Sequence, residues 1–408
     1  MWYIGDLFRE ASEIIRMAEG RVSVVRVQNY DWTQIHAAAH KSLELIGGLG
    51  RLIKLGDKVL VKINHLSPAS SADGGIITHP VFVEAIMHLL MDYGANITVG
   101  DDIESIASNG FAVSGFRDMC RRAGVDLVNF KERGFVETEC SGFFLKKVHL
   151  SKAALDADVL INLHKLKTHS LTVLTGGVKN MYGTIPNGLR TRFHGEYVRP
   201  EDFGQVLVDI FSAIKPQLTI MDGVVAMEGE GPASGSLREV GVILASEDTV
   251  ALDAVATKII GLDPMDIYTT KYATERGLGI GNLQDIEVVG EGLEDVTVLD
   301  FKLPASATSV LTRKAPKVLT RYLLSQLSVR PQIVKSKCTG CFECESVCPV
   351  SAISRTNGKA EINPNRCIRC MCCHEVCHYS AIVPKRTIVG NVLELLANRW
   401  QKLMGSIR

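Results

Sequence analysis

Cys338-x-x-Cys341-x-x-Cys344-x-x-x-Cys348-Pro349 is followed by Cys367-x-x-Cys370-x-x-Cys373-x-x-x-Cys377, and nine of the chain's eleven cysteines fall between the first and last of these residues. Each position of the first set recurs twenty-nine residues later, and Ser351-Ala352-Ile353 answers Ser380-Ala381-Ile382. The segment is an internal duplication. Three thiolates two residues apart wrap one iron-sulfur cube, while the fourth, set off by three residues, reaches across to the other cube. The spacing therefore predicts two 4Fe-4S clusters, one on Cys338, Cys341, Cys344 and Cys377, the other on Cys367, Cys370, Cys373 and Cys348. Structural zinc sites favour paired couples of ligands, and no secretory signal supports a disulfide framework. Cys372, next to Cys373, has no ligand slot and is read as a bystander.

Outward from this stretch, 408 residues suffice for a large core plus a small module. Lys plus Arg and Asp plus Glu both number 45, so no basic field argues for nucleic acid. No apolar run is long enough to span a bilayer, and the first residues lack a signal-peptide pattern. A cytoplasmic protein in a reducing, anaerobic setting is expected.

Toward the N-terminus, apolar strand-like runs alternate with helical patterns. Strands are expected at 21–27, 58–64, 96–100, 125–130, 144–150, 158–162, 218–222 and 241–245. Helices are expected at 6–19, 32–49, 81–93, 202–214, 249–260 and 265–276, with loops at 132–142 and 190–194. This alternation predicts an α/β fold, a mostly parallel sheet with helices on both faces, followed by a small ferredoxin-like α+β iron-sulfur domain. The expected domains are residues 1–305, a basic amphipathic linker helix at 306–330, the cluster domain at 331–384 and an amphipathic helix at 385–408. The linker helix is read as docked on the cluster domain rather than lying on a membrane surface.

In such sheets ligands bind beyond the carboxyl ends of the strands. Polar residues gather there in four loops. The candidates for direct chemistry are His79, Lys167, His169, Lys179 and Glu228. Those for an anion pocket are Asn64, Asp101, Lys165, Gly176, Gly177, Asn180 and Asp222. Cations beside a run of glycine N–H donors suit a phosphate or carboxylate, and a carboxylate near a His suits proton transfer. Taken singly, each has a plainer use as a cap, a turn residue or a solvated charge.

The paired cysteine sets resemble the bacterial two-cluster ferredoxins over about residues 333–384. There is one departure, Cys377-His378 where the pattern has Cys-Pro, and an exposed, inert His378 is the reading there. Lys62-Ile-Asn64, Thr78-His79-Pro80, Lys167-Thr-His169, Gly176-Gly-Val-Lys179-Asn180, Tyr182-Gly183 and Asp222-Gly223 with Glu228-Gly-Glu-Gly-Pro232 resemble the domain-of-unknown-function 362 family over about residues 20–300. That resemblance implies an iron-sulfur protein of undefined activity. A shorter likeness, Gly176-Gly177 with Lys179, resembles the nickel-pincer lactate racemase family but is too short to carry a cofactor over. The expected function is a redox protein, an oxidoreductase if an enzyme, passing low-potential electrons through the clusters to an anionic small molecule or a redox partner protein. The rivals are a non-enzymatic carrier or assembly factor, and a racemase- or transferase-like enzyme with structural clusters.

Overall fold

Alternating burial along the strands sets the architecture. In a computed structural model, residues 20–66, 71–103, 110–304, 330–377 and 379–385 are described. The expected helix at 6–19, the tail helix and His378 lie outside them. So does the linker helix except for Arg330, which begins a strand.

Strands β1 (Arg21–Arg26), β2 (Lys58–Lys62), β3 (Asn96–Asp101) and β4 (Asp126–Asn129) join the main sheet, while β5 (Phe135–Glu139) and β6 (Lys147–Ser151) form a separate hairpin. The main sheet is completed by β7 (Val159–His169), β8 (Val173–Thr175), β9 (Leu218–Glu228), β10 (Ser236–Ser246) and β11 (Glu287–Gly290). Its order is β11-β1-β10-β9-β7-β2-β3-β4, with β8 paired to β7. The run β9-β7-β2-β3-β4 is parallel throughout, and antiparallel pairing enters only at β8 and around β10. The expected mostly parallel sheet is observed.

Period-two alternation sends neighbouring side chains to opposite faces. Val59, Val61, Ile161 and Leu163 pack with the helices Trp32–Leu45, Pro80–Met91 and Phe116–Ala123 on one face. Leu60, Leu160 and Val128 pack on the other with the helix Pro200–Ala213 and the β5–β6 hairpin, and Val242 and Leu244 with the helix Thr249–Ile259.

Three expectations need correction. The sequence at 190–194 is not a loop but lies in the helix Asn187–Glu196, because Phe193 and His194 are buried, Phe193 against Tyr197 and His194 against Tyr182 and Phe203, and tertiary packing overrides a weak amphipathic pattern. The segment 132–142 is not all loop, since β5 pairs along β6. Strands β7 and β9 run past Asn162 and Asp222 to His169 and Glu228, because β7 is buried at all its positions and every backbone group there needs a ladder partner.

The C-terminal region contains the strands β12 (Arg330–Ile333), β13 (Ile353–Thr356), β14 (Lys359–Ile362) and β15 (Ile382–Lys385), paired β12–β15 and β13–β14. The duplication is visible in its backbone. Phe342 and Met371 have φ of 60° and 65°, and Ser351 and Ser380 have 46° and 48°. Side chains adopt this left-handed region at a cost, so its repetition marks turns wrapped around something.

Candidate functional site

The ends of β2, β3 and β7 hold a buried polar lattice. Lys62 donates to Asp101 Oδ1 at 3.0 Å, to the Ile63 carbonyl at 2.9 Å and to Asn180 Oδ1 at 3.4 Å. Asp101 also accepts the amides of His65 and Asp102. Asn64 Nδ2 donates to Asn180 Oδ1 at 2.9 Å, and Asn180 Nδ2 to Asn162 Oδ1 at 2.7 Å. The lattice admits Gly183 and nothing larger, for a Cβ there would lie 2.7 Å from both Asp101 Oδ1 and Lys62 Nζ. Arg190 donates to Asp102 Oδ2 at 2.6 Å.

A second cluster lies where β7 meets β9. Lys165 donates to Asp222 Oδ2 at 2.9 Å and to the Tyr30 hydroxyl; Tyr30 donates to Asp222 Oδ1 at 2.7 Å. The His79 ring stacks on Tyr30 at 3.7 Å, and its amide donates to Asp222. His79 also caps the following helix through Nδ1. The structure thus brings His79, Lys165 and Asp222 together. Glu228 stands apart, paired with Lys302 at 3.0 Å. The Gly177 amide, expected to face an external anion, donates instead to Asp253 at 2.6 Å, as the Val178 amide does at 3.0 Å, and Gly176 packs on the same carboxyl. The Gly177 amide is therefore not free to bind an anion. Burial raises Asp253 to about 7, against the pull of those two donors.

The third group joins the two parts of the chain. The turn Cys372–Glu375 enters the α/β domain, and Gly195 is packed so closely that a Cβ would lie 2.9 Å from Pro349. His374 spans the Ile382 and Glu230 carbonyls at 2.7 and 3.2 Å. The Glu375 carboxylate lies 3.2 Å from His169 Nε2 and 3.8 Å from His194 Nε2. His169 Nδ1 accepts the Leu171 and Thr172 amides, so its proton sits on Nε2, facing Glu375. Burial lowers His169 to about 3 and His194 to about 4, against the pull of Glu375. Burial alone would raise Glu375; the opposing pull of His169, His194 and Lys179 outweighs it and holds the carboxyl below its usual range. Burial also lowers Lys167 and Lys179.

Between these groups lies a cavity of about 100 Å³, lined by Lys62, Asn64, Asp101, Thr175, Lys179 and Arg190 from the α/β domain and by Val347, Cys372 and Glu375 from the cysteine-rich region. Several polar atoms of its wall are buried without a hydrogen-bond partner: Asn64 Oδ1, Thr175 Oγ1, Arg190 Nε and His194 Nδ1. Buried polar groups are ordinarily satisfied by protein or by ordered water, so this wall has hydrogen-bonding capacity to offer an occupant. A larger open cleft of about 830 Å³ occurs at the opposite end of the sheet. Its polar groups are spent locally, Asp248 on the Val250, Ala251 and Ile280 amides and Lys215 on the Leu278 carbonyl.

Two groups of thiols lie close together in the cysteine-rich region. In the metal-free chain burial, then Cys341, Cys377 and Cys338, push Cys344 up to about 12. Burial, then Cys370, Cys344, Cys367 and Cys348, pushes Cys373 well up. Thiols so placed stay ionised only around a strongly cationic group, which suits an iron-sulfur cube. The Ala352 and Ala381 amides donate to Cys348 Sγ and Cys377 Sγ at 3.1 and 3.3 Å, the same contact in each repeat. A cavity lined by Cys338, Cys341, Cys344 and Cys377 accompanies the first set. Among the described residues no three Cys, His, Asp or Glu side chains are placed to hold a single metal ion.

Sequence reasoning missed Tyr30, Arg190, His194 and Glu375. Glu375 had a signal: the repeat position that holds Ser346 in the first set holds Glu375 in the second, and Glu343 is answered by Cys372.

Comparison with known proteins agrees with the two-part reading. Residues 59–258 match the profile of a domain of unknown function, DUF362, and residues 330–378 that of a 4Fe-4S dicluster domain. The chain is 38% identical over 261 residues, 64% of its length and 79% of the relative's, to the "Thylakoid-associated protein sll1697" of Synechocystis. Among solved structures, the lactate racemase apoprotein from Thermoanaerobacterium thermosaccharolyticum aligns with a TM-score of 0.36 and 15% identity, covering 57% of this chain and 55% of that one. Among the described residues no helix is long and apolar enough to cross a membrane.

Proposed function

From the premise that the chain belongs to the DUF362 family and carries a 4Fe-4S dicluster domain, we propose that it delivers electrons, through two 4Fe-4S clusters, to a small anionic molecule held in the cavity between its two parts. The observation that carries this reading is shared lining: Cys372 and Val347, each next to a cluster-type cysteine, wall the same space as Lys62, Lys179 and Arg190. Covalent fusion keeps donor and acceptor at high effective concentration.

The clusters supply one-electron reducing equivalents. The chain's own residues do the rest. Lys179 and Arg190 offer charge-assisted hydrogen bonds to an anion, and Lys62, fixed on Asp101 and Asn180, holds the positive field in place. Glu375 and Val347 help close the cavity toward the cysteine-rich side. Reducing equivalents come from a redox partner protein, which is oxidised as the bound molecule is reduced; the exposed Cys341 marks where such a partner reaches the first thiol set. The Lys165, Tyr30 and Asp222 group is a candidate proton relay.

Anaerobic reconstitution tests this. The expected result is a reducible protein with iron and sulfide for two cubes, reoxidised by members of a panel of small anionic metabolites. Reoxidation by partner proteins alone, with no response to any anion, overturns the substrate reading and leaves an electron carrier.

A further inference from the structure

The wall of the cavity specifies more than an anion. Its charges can be matched off one by one. Lys62 pairs with Asp101 and Arg190 with Asp102. Lys165 pairs with Asp222 outside the cavity. That leaves one lysine of the wall, Lys179, without an ion-pair partner, since the remaining wall carboxylate, Glu375, lies on His169. Lys179 meets the Tyr182 ring face at 5.9 Å and has no carboxylate within ion-pair distance among the described residues. One cation of the wall is therefore free to take a single negative charge.

Its hydrogen-bonding atoms add a second constraint. Asn64 Nδ2 is spent on Asn180 Oδ1, which fixes the amide and leaves Asn64 Oδ1 as an acceptor without a donor. Arg190 Nε is a donor without an acceptor, and Thr175 Oγ1, on a residue 3% exposed, has no partner. A buried acceptor left unmet is costly, so the natural occupant must give a hydrogen bond as well as receive several. The volume of about 100 Å³ is several times what one water needs, yet far below that of a nucleotide site.

We infer that the cavity takes a small monoanion that also carries a hydrogen-bond donor, a carboxylate beside a hydroxyl or amine, with its anionic end on Lys179 and Arg190 and its donor on Asn64 Oδ1. This rests on the cavity being the ligand site proposed above, but it makes a separate demand, because it concerns binding and not electron flow. Phosphate, with its higher charge, and neutral polyols fit the wall less well.

The test is equilibrium binding to the oxidised, cluster-loaded full chain under anaerobic conditions, with no reductant present. The probes are glycolate, acetate, glycolamide and inorganic phosphate. Glycolate is expected to bind at least about 10-fold more tightly than acetate, which lacks the donor, and than glycolamide, which lacks the charge. Lys179→Gln is expected to weaken glycolate by about 10-fold or more, and Asn64→Ala to bring it down to the level of acetate, with cluster absorbance and melting temperature checked for both. Equal binding of acetate and glycolate, tighter binding of glycolamide or phosphate, or no saturable binding of any probe overturns the inference. Selective glycolate binding without reoxidation by any anion leaves it standing while the redox reading fails. Reoxidation by an anion that needs neither Lys179 nor Asn64 does the reverse.

Discussion

Glu375 offers the sharpest test of how the two parts of the chain are joined. The residue is 8% exposed and its carboxylate lies against His169 and His194, in the field of Lys179. Glu375→Ala removes the carboxylate that accepts from His169 and faces that positive field. Breaking a buried ionic contact by deleting one partner costs about 3–5 kcal/mol, because the survivors stay desolvated and uncompensated. The loss should be local, read by hydrogen exchange at amides of 193–195 and 372–376, whose protection reports opening of this contact. The vacancy left in the variant has the size and charge of a short carboxylate. Acetate should therefore restore protection, by about 2.7 kcal/mol at one hundred times its Kd, and acetamide should not. The wild-type contact should also loosen in acid. A carboxyl held below its usual 4.5 stabilises the contact above that pH and ceases to as pH falls through its folded value, a dependence the variant lacks. A loss of less than about 1 kcal/mol, or equal rescue by acetate and acetamide, would refute the reasoning, since neither is compatible with a buried carboxylate held in a positive field.

Cys348→Ser and Cys373→Ser should each cost the iron of one cube while Cys372→Ser retains all of it, by metal analysis of anaerobically reconstituted protein; equal losses in all three would break the three-plus-one assignment. Asp253 keeps its proton in the fold up to about 7 but loses it near 3.8 in the unfolded chain, so its contribution to stability falls as pH rises between those values. Urea unfolding of wild type and Asp253→Asn should show the balance moving toward the Asn variant by roughly 4 kcal/mol across that window, and a gap that does not change with pH contradicts the assignment. Gly183→Ala places a Cβ 2.7 Å from Asp101 Oδ1 and Lys62 Nζ; it should destabilise by about 1–3 kcal/mol and weaken anion binding, and an unchanged protein would show that the lattice yields freely.

Much of this was legible in the residues, for physical reasons that also explain what was not. The sheet could be read because Val59, Val61, Ile161 and Leu163 alternate with Leu60 and Leu160 and each face needs a layer of helices. The polar strand ends could be read because ladder geometry sends their side chains out at one edge, so that His79, Lys165 and Asp222 meet. What spacing could not carry was which charges pair. The Gly177 amide goes to a carboxylate seventy-six positions away, and no local pattern announces Asp253 as its partner. Nor could polarity reveal that β7 continues through His164 to His169, since a strand buried on both sides is recognised by apolar runs and this one is full of charge.

The duplicated cysteine turns show how such a contact leaves a trace after all. In the first copy Cys344 is flanked by Glu343, Glu345 and Ser346; in the second Cys373 is flanked by Cys372, His374 and Glu375. The backbones follow the same course, with matching left-handed residues and matching amide-to-sulfur bonds, so the wrapping of the thiols does not require the difference. Environment does. Glu345 is half-buried and pairs with the exposed Arg355, where a charge still reaches water and needs only a loose partner. Glu375, Cys372 and His374 are buried against the α/β domain, where a carboxylate survives only beside cations and a histidine only between carbonyls. A repeat therefore works as its own control: positions that the thiol-wrapping turn does not need, yet which differ between copies, are the ones that touch something else, and here that something is the wall of a cation-lined cavity.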